Sequence, residues 1–268
     1  LSKLKNILTD LPSIKKTIIV PFAGDYNTNI IKNSMLWNDF LHKDSGDIIF
    51  EQLPFDHPLY IMYSSGTTGL PKSIVHSTGG TLIQHLKELK LHTDLTQNDK
   101  IFYFTTCGWM MWNWLISSLA VGATIALYDG SPFFPDGTAL LKMAYDLGIT
   151  VFGTSAKYIA SLESFGIKPN KILSFPKLRT ILSTGSPLVE ENFDFVYREW
   201  KEDVQLASIS GGTDIISCFA LGNPILPVRR GELQCRGLGM KVEAFNDEGN
   251  PVENEKGELV CTEAFPSM

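Results

Sequence analysis

YIMYSSGTTGLPKS, Tyr60–Ser73, is the stretch from which the rest of the chain can be read. An apolar run, LYIMYSS, stops, and small or hydroxylated residues follow: Ser64, Ser65, Gly66, Thr67, Thr68 and Gly69, closed by Pro71 and Lys72. The run predicts a β-strand. In an open α/β sheet, the loop after a strand lies at the strand's carboxyl end, where ligands bind. Glycines let the backbone come close to a ligand, hydroxyls and free N–H groups donate hydrogen bonds, and the lysine adds one positive charge. Together they make an anion cradle suited to phosphates. The plain alternatives are a polar turn for the loop and a solvated surface residue for Lys72. The Walker pattern G-x-x-x-x-G-K-[ST] is not met, because Pro71 stands before Lys72 where the second glycine is required. An ordinary P-loop NTPase is therefore not indicated.

Outward from this loop, strand and helix patterns alternate from about residue 59 to 210. STGGTLIQHLKELKLHT is expected to be helical, with Leu82, Leu86 and Leu89 on one face. IFYFT, TIALYDG, TVFG, LRTILSTG and QLASIS read as strands, and DGTALLKMAYDLGI, SAKYIASLESFG and LVEENFDFVYREW as helices. Asp136 is a plausible N-cap and Gly148 a stop. The fold class expected is α/β, with mostly parallel sheets flanked by helices. After residue 215, short strand-like runs separated by turn residues such as NDEGNP predict an antiparallel tail, the start of a small barrel. The expected divisions are 1–58, the end of a preceding α/β subdomain; 59–214, the nucleotide- and acid-binding α/β part; and 215–268, the β-rich segment. Before residue 58, a helix or loop leads to a strand, TIIVPF, and SMLWNDFL reads as a short helix.

The 268 residues can bury a sizeable core. The net charge of −6 is spread along the chain, with no basic face, which argues against nucleic acid as a partner. Cys107, Cys218, Cys235 and Cys261 stand far apart with no CxxC pattern, as expected of reduced thiols in a cytoplasmic protein. Residues 101–128 carry no charge and are long enough to span a bilayer, but Gly108, Gly122 and polar residues divide them into strand, buried helix and strand. His57, His76, His85 and His92 pair with no candidate nucleophile, and G-x-S-x-G is absent. The chain begins at Leu1 without a signal-peptide pattern, and GELVCTEAFPSM reads as a strand running off the end; both ends are expected to be cuts in a longer protein.

YSSGTTGLPKS resembles the signature loop of the adenylate-forming superfamily, which includes acyl-CoA synthetases, luciferases and peptide-synthetase adenylation domains. ILSTGSPL (Ile181–Leu188) is similar to the segment that lines adenine in that family, and SISGGTD (Ser208–Asp214) to the motif that holds the nucleotide phosphate and its magnesium. GELQCRGLGMKVEAFNDEGNPV resembles the block that follows, so the likeness covers essentially the whole chain. TTCGWMMWNWLISSLAVGATIALYDGSP, together with SGGTDIISCFALGNPILPVRRGELQCRGLGM, resembles acetoacetyl-CoA synthetases in particular.

The resemblance implies a ligase acting in two steps: a carboxylate attacks the α-phosphorus of ATP to give an acyl-adenylate and pyrophosphate, and coenzyme A then takes the acyl group. On this reading Ser64, Ser65, Gly66, Thr67, Thr68, Gly69 and Lys72 hold the β- and γ-phosphates. Gly185, Ser186 and Pro187 flank adenine, with Ile209, Ser210 and Gly212 across from them. Thr213 bonds the α-phosphate, and Asp214, where most relatives carry Glu, binds Mg2+. Trp109, Met110, Met111 and Trp112 would shape the pocket for acetoacetate. Gly211 stands where acetate-activating relatives carry tryptophan and would leave room for the larger acid. The plain alternatives are a turn or cap for Asp214, a strand-to-helix loop for residues 185–187 and ordinary core for the Trp/Met cluster. The family's hinge, its C-terminal lid domain with a catalytic lysine, and the aspartate that binds ribose are expected beyond this chain, which by itself would be catalytically poor. A non-catalytic nucleotide-binding or scaffold protein, or a ligase for acetate or propionate, stands as the alternative.

Overall fold

The computed structural model describes residues 2–22, 24, 31–41, 46–64 and 69–268. The chain divides into two compact units, Leu1–Gln52 and Leu53–Met268. In the first, helix α1 (Ser2–Asp10) precedes strand β1 (Thr17–Ile19), which pairs in parallel with β2 (Ser34–Leu36); a single turn, α2 (Trp37–Phe40), follows. SMLWNDFL is thus half strand and half helix, not one short helix.

The second unit opens on β3 (Pro58–Ser64) and β4 (Lys72–Ser77), which pair antiparallel with Ser64 opposite Lys72. The strands on either side of the Gly/Thr segment are therefore an antiparallel pair outside the parallel sheet, where a strand of that sheet leading to a helix was expected. Helix α3 (Thr78–Lys87) follows and ends in a π-helical turn, Glu88–His92. Next come β5 (Lys100–Tyr103), α4 (Met110–Ile116) with a 3-10 continuation to Val121, β6 (Thr124–Ala126) and α5 (Ala139–Leu147). The uncharged stretch 101–128 thus folds as strand, helix and strand, and no helix among the described residues is long and apolar enough to cross a membrane. Asp136 lies before the α5 cap, Thr138, whose backbone N–H it accepts at 2.7 Å. Gly148 ends α5 in the left-handed region, at φ 64°, which suits glycine. β7 (Val151–Ser155) runs into α6 (Ala156–Ser164), capped by the Ser155 side chain accepting from the Tyr158 N–H at 3.2 Å. The short α7 (Pro169–Ile172), β8 (Thr180–Thr184), α8 (Glu190–Phe195) with a π turn to Trp200, and β9 (Gln205–Ser208) complete the alternation.

Strands β5 to β9 form one five-stranded sheet in the order β6-β5-β7-β8-β9, every pairing parallel. Both faces are covered, as parallel sheets require. Alternate residues of each strand enter different cores. Phe102, Phe152, Ile181 and Leu206 pack with Leu140, Ile159, Phe193 and Trp200 from α5, α6, α8 and its continuation. Ile101, Tyr103, Val151, Leu182 and Ala207 pack with Leu89, Met111, Trp114 and Leu115 on the other side. Gly153 makes room for the second core, since a Cβ there would lie 2.1 Å from the Tyr103 ring. At the amino ends of the inner strands, Arg179 grips Asp99 through Nε at 3.1 Å and Nη2 at 3.0 Å, and Thr150 and Thr96 add further bonds to the same carboxylate. Burial by itself would raise this acid, but these bonds outweigh it and bring Asp99 down to about 2.

The tail is antiparallel, as expected. β10 (Ser210–Gly212), β11 (Ser217–Leu221) and β12 (Cys235–Arg236) form one three-stranded sheet. β13 (Val242–Phe245) lies between β14 (Pro251–Val252) and β15 (Glu258–Cys261) in another. The NDEGNP turn joins β13 to β14, with Gly249 at φ 79°.

Candidate active site

The carboxyl ends of β5, β8 and β9 open onto one cleft of about 500 Å³. Its walls include Trp109, Met110 and Met111 from the start of α4, Gly185, Ser186 and Pro187 after β8, and Ile209 to Thr213 after β9. Three motifs spread over about a hundred residues of sequence thus meet in one place. Gly185 takes φ 93° with Trp109 behind it, a conformation that favours glycine and turns the chain out of the sheet. Thr184 Oγ1 donates to the Ile209 carbonyl at 3.1 Å and so ties the two loops together at the base.

A second cavity, of about 660 Å³, adjoins the first along Trp109, Met110 and Thr213. It is lined by Tyr60 to Ser64 of β3, by Cys107 and Gly108, and by Thr213 and Asp214. The base of the Gly/Thr hairpin and the SGGTD motif therefore face the same space. Ser65, Gly66, Thr67 and Thr68 lie outside the described residues. Gly69 is exposed, and Lys72 is exposed at the first position of β4.

Asp214 is exposed, and Thr213 is half-buried. Among the described residues there is no group of three or more His, Cys, Asp or Glu able to hold a metal. One carboxylate beside hydroxyls does not suit zinc, which is bound by three or four protein ligands. It does suit a magnesium ion that takes most of its ligands from phosphate and water.

Two expectations change. Trp112 lies half-buried on α4 and borders neither cavity. Gly211 lines the cleft, but its missing side chain does not point into open space: a Cβ would lie 2.1 Å from the Ser217 carbonyl oxygen and 2.9 Å from the Cys218 Cα. The glycine is required by the close approach of β10 to β11 at the bulge between Ser210 and Gly211. Room for a larger acid does not follow from its lack of a side chain.

Several lining residues lie inside the quoted motifs without having been assigned a contact: Thr184 and Leu188 in ILSTGSPL and Ser208 in SISGGTD, joined by Cys218 on β11 and Gly231 to Leu233 from the tail. All four cysteines are free. Burial pushes the Cys218 thiol well up, and the neighbouring Glu88 carboxylate adds to this, so Cys218 is a wall and not a nucleophile.

The expected leucine face is buried only in part: Leu89 enters the core and Leu86 is half-buried, but Leu82 faces outward, and α3 itself buries mainly polar residues. Leu82 is 41% exposed, whereas Thr81, Gln84, His85 and Glu88 are at most 1% exposed. Buried polar groups of this kind are costly unless bonded, and most of these have found partners. Glu88 Oε1 accepts from Ser217 Oγ, from the Cys218 N–H at 3.2 Å and from Gln84 Nε2 at 3.3 Å, while Oε2 accepts from Trp114 Nε1 at 2.9 Å. Lys87 lies 3.5 Å from the same carboxylate. The helix buries its polar side because it packs on the irregular backbone that follows Asp214.

Comparison with known proteins agrees with this geometry. A family profile described as AMP-binding enzyme matches residues 1–265. An acetoacetyl-coenzyme A synthetase of Rhizobium meliloti is 59% identical over 94% of this chain and 39% of its own length. An acetoacetyl-CoA synthetase of Gallus gallus is 53% identical over 99% of this chain and 41% of its own. The solved structure of acetoacetyl-CoA synthetase from Streptomyces lividans superposes with a TM-score of 0.91 at 43% identity, covering 100% of this chain and 41% of that one. The chain thus spans about two fifths of the length of the relatives it matches. With its parallel sheet, its cleft at the strand ends and a family match over nearly its whole length, the chain belongs to the AMP-binding enzyme family.

Proposed function

We propose that the complete protein is an ATP-dependent acid–thiol ligase that activates acetoacetate as an acyl-adenylate and passes it to coenzyme A, and that this chain supplies most of the nucleotide and acid site. The observation that carries the reading is the pair of adjoining cavities. One gathers the adenine-type loop, the SGGTD strand and the Trp/Met segment; the other joins Thr213 and Asp214 to the base of the phosphate-type hairpin. The relatives named acetoacetyl-CoA synthetases direct the choice of acid.

In this reading adenine lies against Gly185, Ser186 and Pro187, with Ile209, Ser210 and Gly212 opposite. The hairpin residues Ser64 to Gly69 and Lys72 hold the β- and γ-phosphates, and Thr213 donates to the α-phosphate. Asp214 would hold magnesium, which when bound offsets the charge that builds up as one anion approaches another. Acetoacetate would occupy the part of the cleft walled by Trp109, Met110 and Met111, with its carboxylate near Thr213. The residues act by positioning and charge neutralisation and form no covalent intermediate. A cytoplasmic location and a place in lipid metabolism belong to the same proposal.

The test is acid-dependent exchange of pyrophosphate into ATP by the complete protein, comparing acetoacetate, acetate, propionate and 3-hydroxybutyrate. Acetoacetate should exceed the others by at least about tenfold in kcat/KM, the discrimination available to a site that bonds the extra carbonyl. Equal rates with acetate would sink the choice of acid, and no exchange with any acid would sink the ligase.

A further inference from the structure

We infer that His85 and His76, together with Ser267, clamp the backbone of the Thr213–Ile216 turn and are positioning residues for the phosphate and metal contacts made by Thr213 and Asp214. This rests on the function proposed above. The turn is held through its carbonyl groups from three separate parts of the chain. His76 Nε2, on β4, donates to the Thr213 carbonyl at 2.9 Å. Ser267 Oγ, near the end of the chain, donates to the Ile215 carbonyl at 2.7 Å. His85 Nε2, on α3, donates to the Ile216 carbonyl at 2.7 Å, and its Nδ1 lies 2.9 Å from Ser117 Oγ. All three side chains are at most 4% exposed.

The held segment is one that would not keep its shape unaided. Ile216 takes φ 47°, the left-handed region, which a β-branched side chain rarely enters. Such a conformation persists only where the surroundings over-determine it, and it occurs disproportionately at functional sites. Just beyond it, Glu88 accepts from the Ser217 hydroxyl and the Cys218 N–H. Thr213 borders both cavities and Asp214 the second, so a loosened turn would move both groups at once. α3 leaves Leu82 and Ile83 exposed and turns Gln84, His85 and, just past its end, Glu88 toward this segment.

The experiment uses the complete protein with His85→Leu, His85→Gln, His76→Leu and Ser267→Ala. Ser267→Ala removes one hydroxyl and is the variant least able to disturb folding. Three quantities are read: the magnesium chloride concentration giving half-maximal pyrophosphate exchange, the KM for acetoacetate, and amide hydrogen exchange across residues 213–218. Loss of one buried donor should raise the magnesium requirement about fivefold and speed exchange in 213–218 by a similar factor. The KM for acetoacetate should rise as well, because its carboxylate lies near Thr213, and His85→Gln, which keeps a donor, should recover most of both losses. A folded Ser267→Ala or His85→Leu protein with unchanged magnesium dependence and unchanged exchange in 213–218 overturns the clamp. So does exchange that rises equally throughout the chain, the mark of a merely structural role. If the unmodified protein activates no acid, the ligase reading fails, and amide exchange in 213–218 still decides for or against the clamp.

Discussion

Replacing Gly211 by alanine separates two explanations of a glycine in the cleft wall. If the glycine serves to enlarge the acid pocket, one added methyl group should cost little stability and shift the acid preference. The structure implies the opposite. A Cβ at Gly211 would sit 2.1 Å from the Ser217 carbonyl oxygen, roughly 1.4 Å inside the ~3.5 Å optimum for nonbonded atoms. The obstacle is backbone on β11, not the free end of a side chain, so β10 and β11 must move apart. Overpacking of this kind costs about 2–3 kcal/mol, which lowers the thermal midpoint by about 4–12 °C for a domain of this size. The strand that moves leads directly into Thr213, so the KM for ATP should rise along with the KM for acetoacetate. Gly211→Trp should lose activity with both acetate and acetoacetate, because the indole has to displace β11 before it can reach the cleft. The assay is a thermal melt of the complete protein together with pyrophosphate exchange on both acids. A Gly211→Trp protein that melts normally, keeps its KM for ATP and favours acetate would refute the close-approach reasoning and restore the pocket-enlargement view.

Other predictions concern parts that should respond separately. Asp99, held at about 2 against an ordinary 3.8, contributes stability that is fully present above pH 4 and disappears as pH falls through 2. Asp99→Asn should therefore cost about 2 kcal/mol at neutral pH and flatten the acid limb of a stability–pH curve measured by urea melts. Asp214→Asn should slow pyrophosphate exchange on the order of a hundredfold at saturating ATP while leaving the thermal midpoint in place, since the side chain is exposed. Lys72→Ala should raise the KM for ATP about tenfold, the value of a bond to a charged group, without altering the acid preference. Gly153→Ala forces a methyl group to 2.1 Å from the Tyr103 ring and should lower the denaturant midpoint by an amount equivalent to about 2 kcal/mol, with little effect on KM.

The central sheet was legible because its strands are buried on both faces and write themselves as short apolar runs. Ile101–Tyr103 and Val151–Phe152 need no partner to be recognised. The cleft was legible as motifs, and the sheet brings Gly185, Ile209 and Trp109 together as those motifs imply. The hairpin strand β4 was missed because KSIVHS is short, begins beside a proline and has only two strongly apolar residues; its pairing with β3 is a tertiary fact. The inner face of α3 was misread for a related cause. Leucine spacing led to the core at Leu89, but at Leu82 it did not, because the inner face over residues 84–88 meets peptide backbone more than a hundred residues away. Gly211 was misread because nothing in the sequence indicates which way an absent side chain would have pointed. GELQCRG was legible as a tail segment, but the place of Gly231 to Leu233 in the cleft was not, since the loop is brought there by the β10-β11-β12 sheet and by Arg230 pairing with Glu190 and Asp194 on α8.

The common border at Thr213 has a practical meaning for anyone who wishes to retune this protein toward another acid. β10 offers little freedom, because its main chain is pressed against β11 and lines the cleft, and Thr213 directly after it borders both chambers. Met110 and Met111 present flexible thioether chains to the same cleft from an independent helix. A library built on Met111, which borders the cleft alone, should widen or narrow the range of acids accepted with less effect on the grip on nucleotide than one at Met110, which borders both chambers, whereas one built on residues 210–213 should mostly return inactive clones.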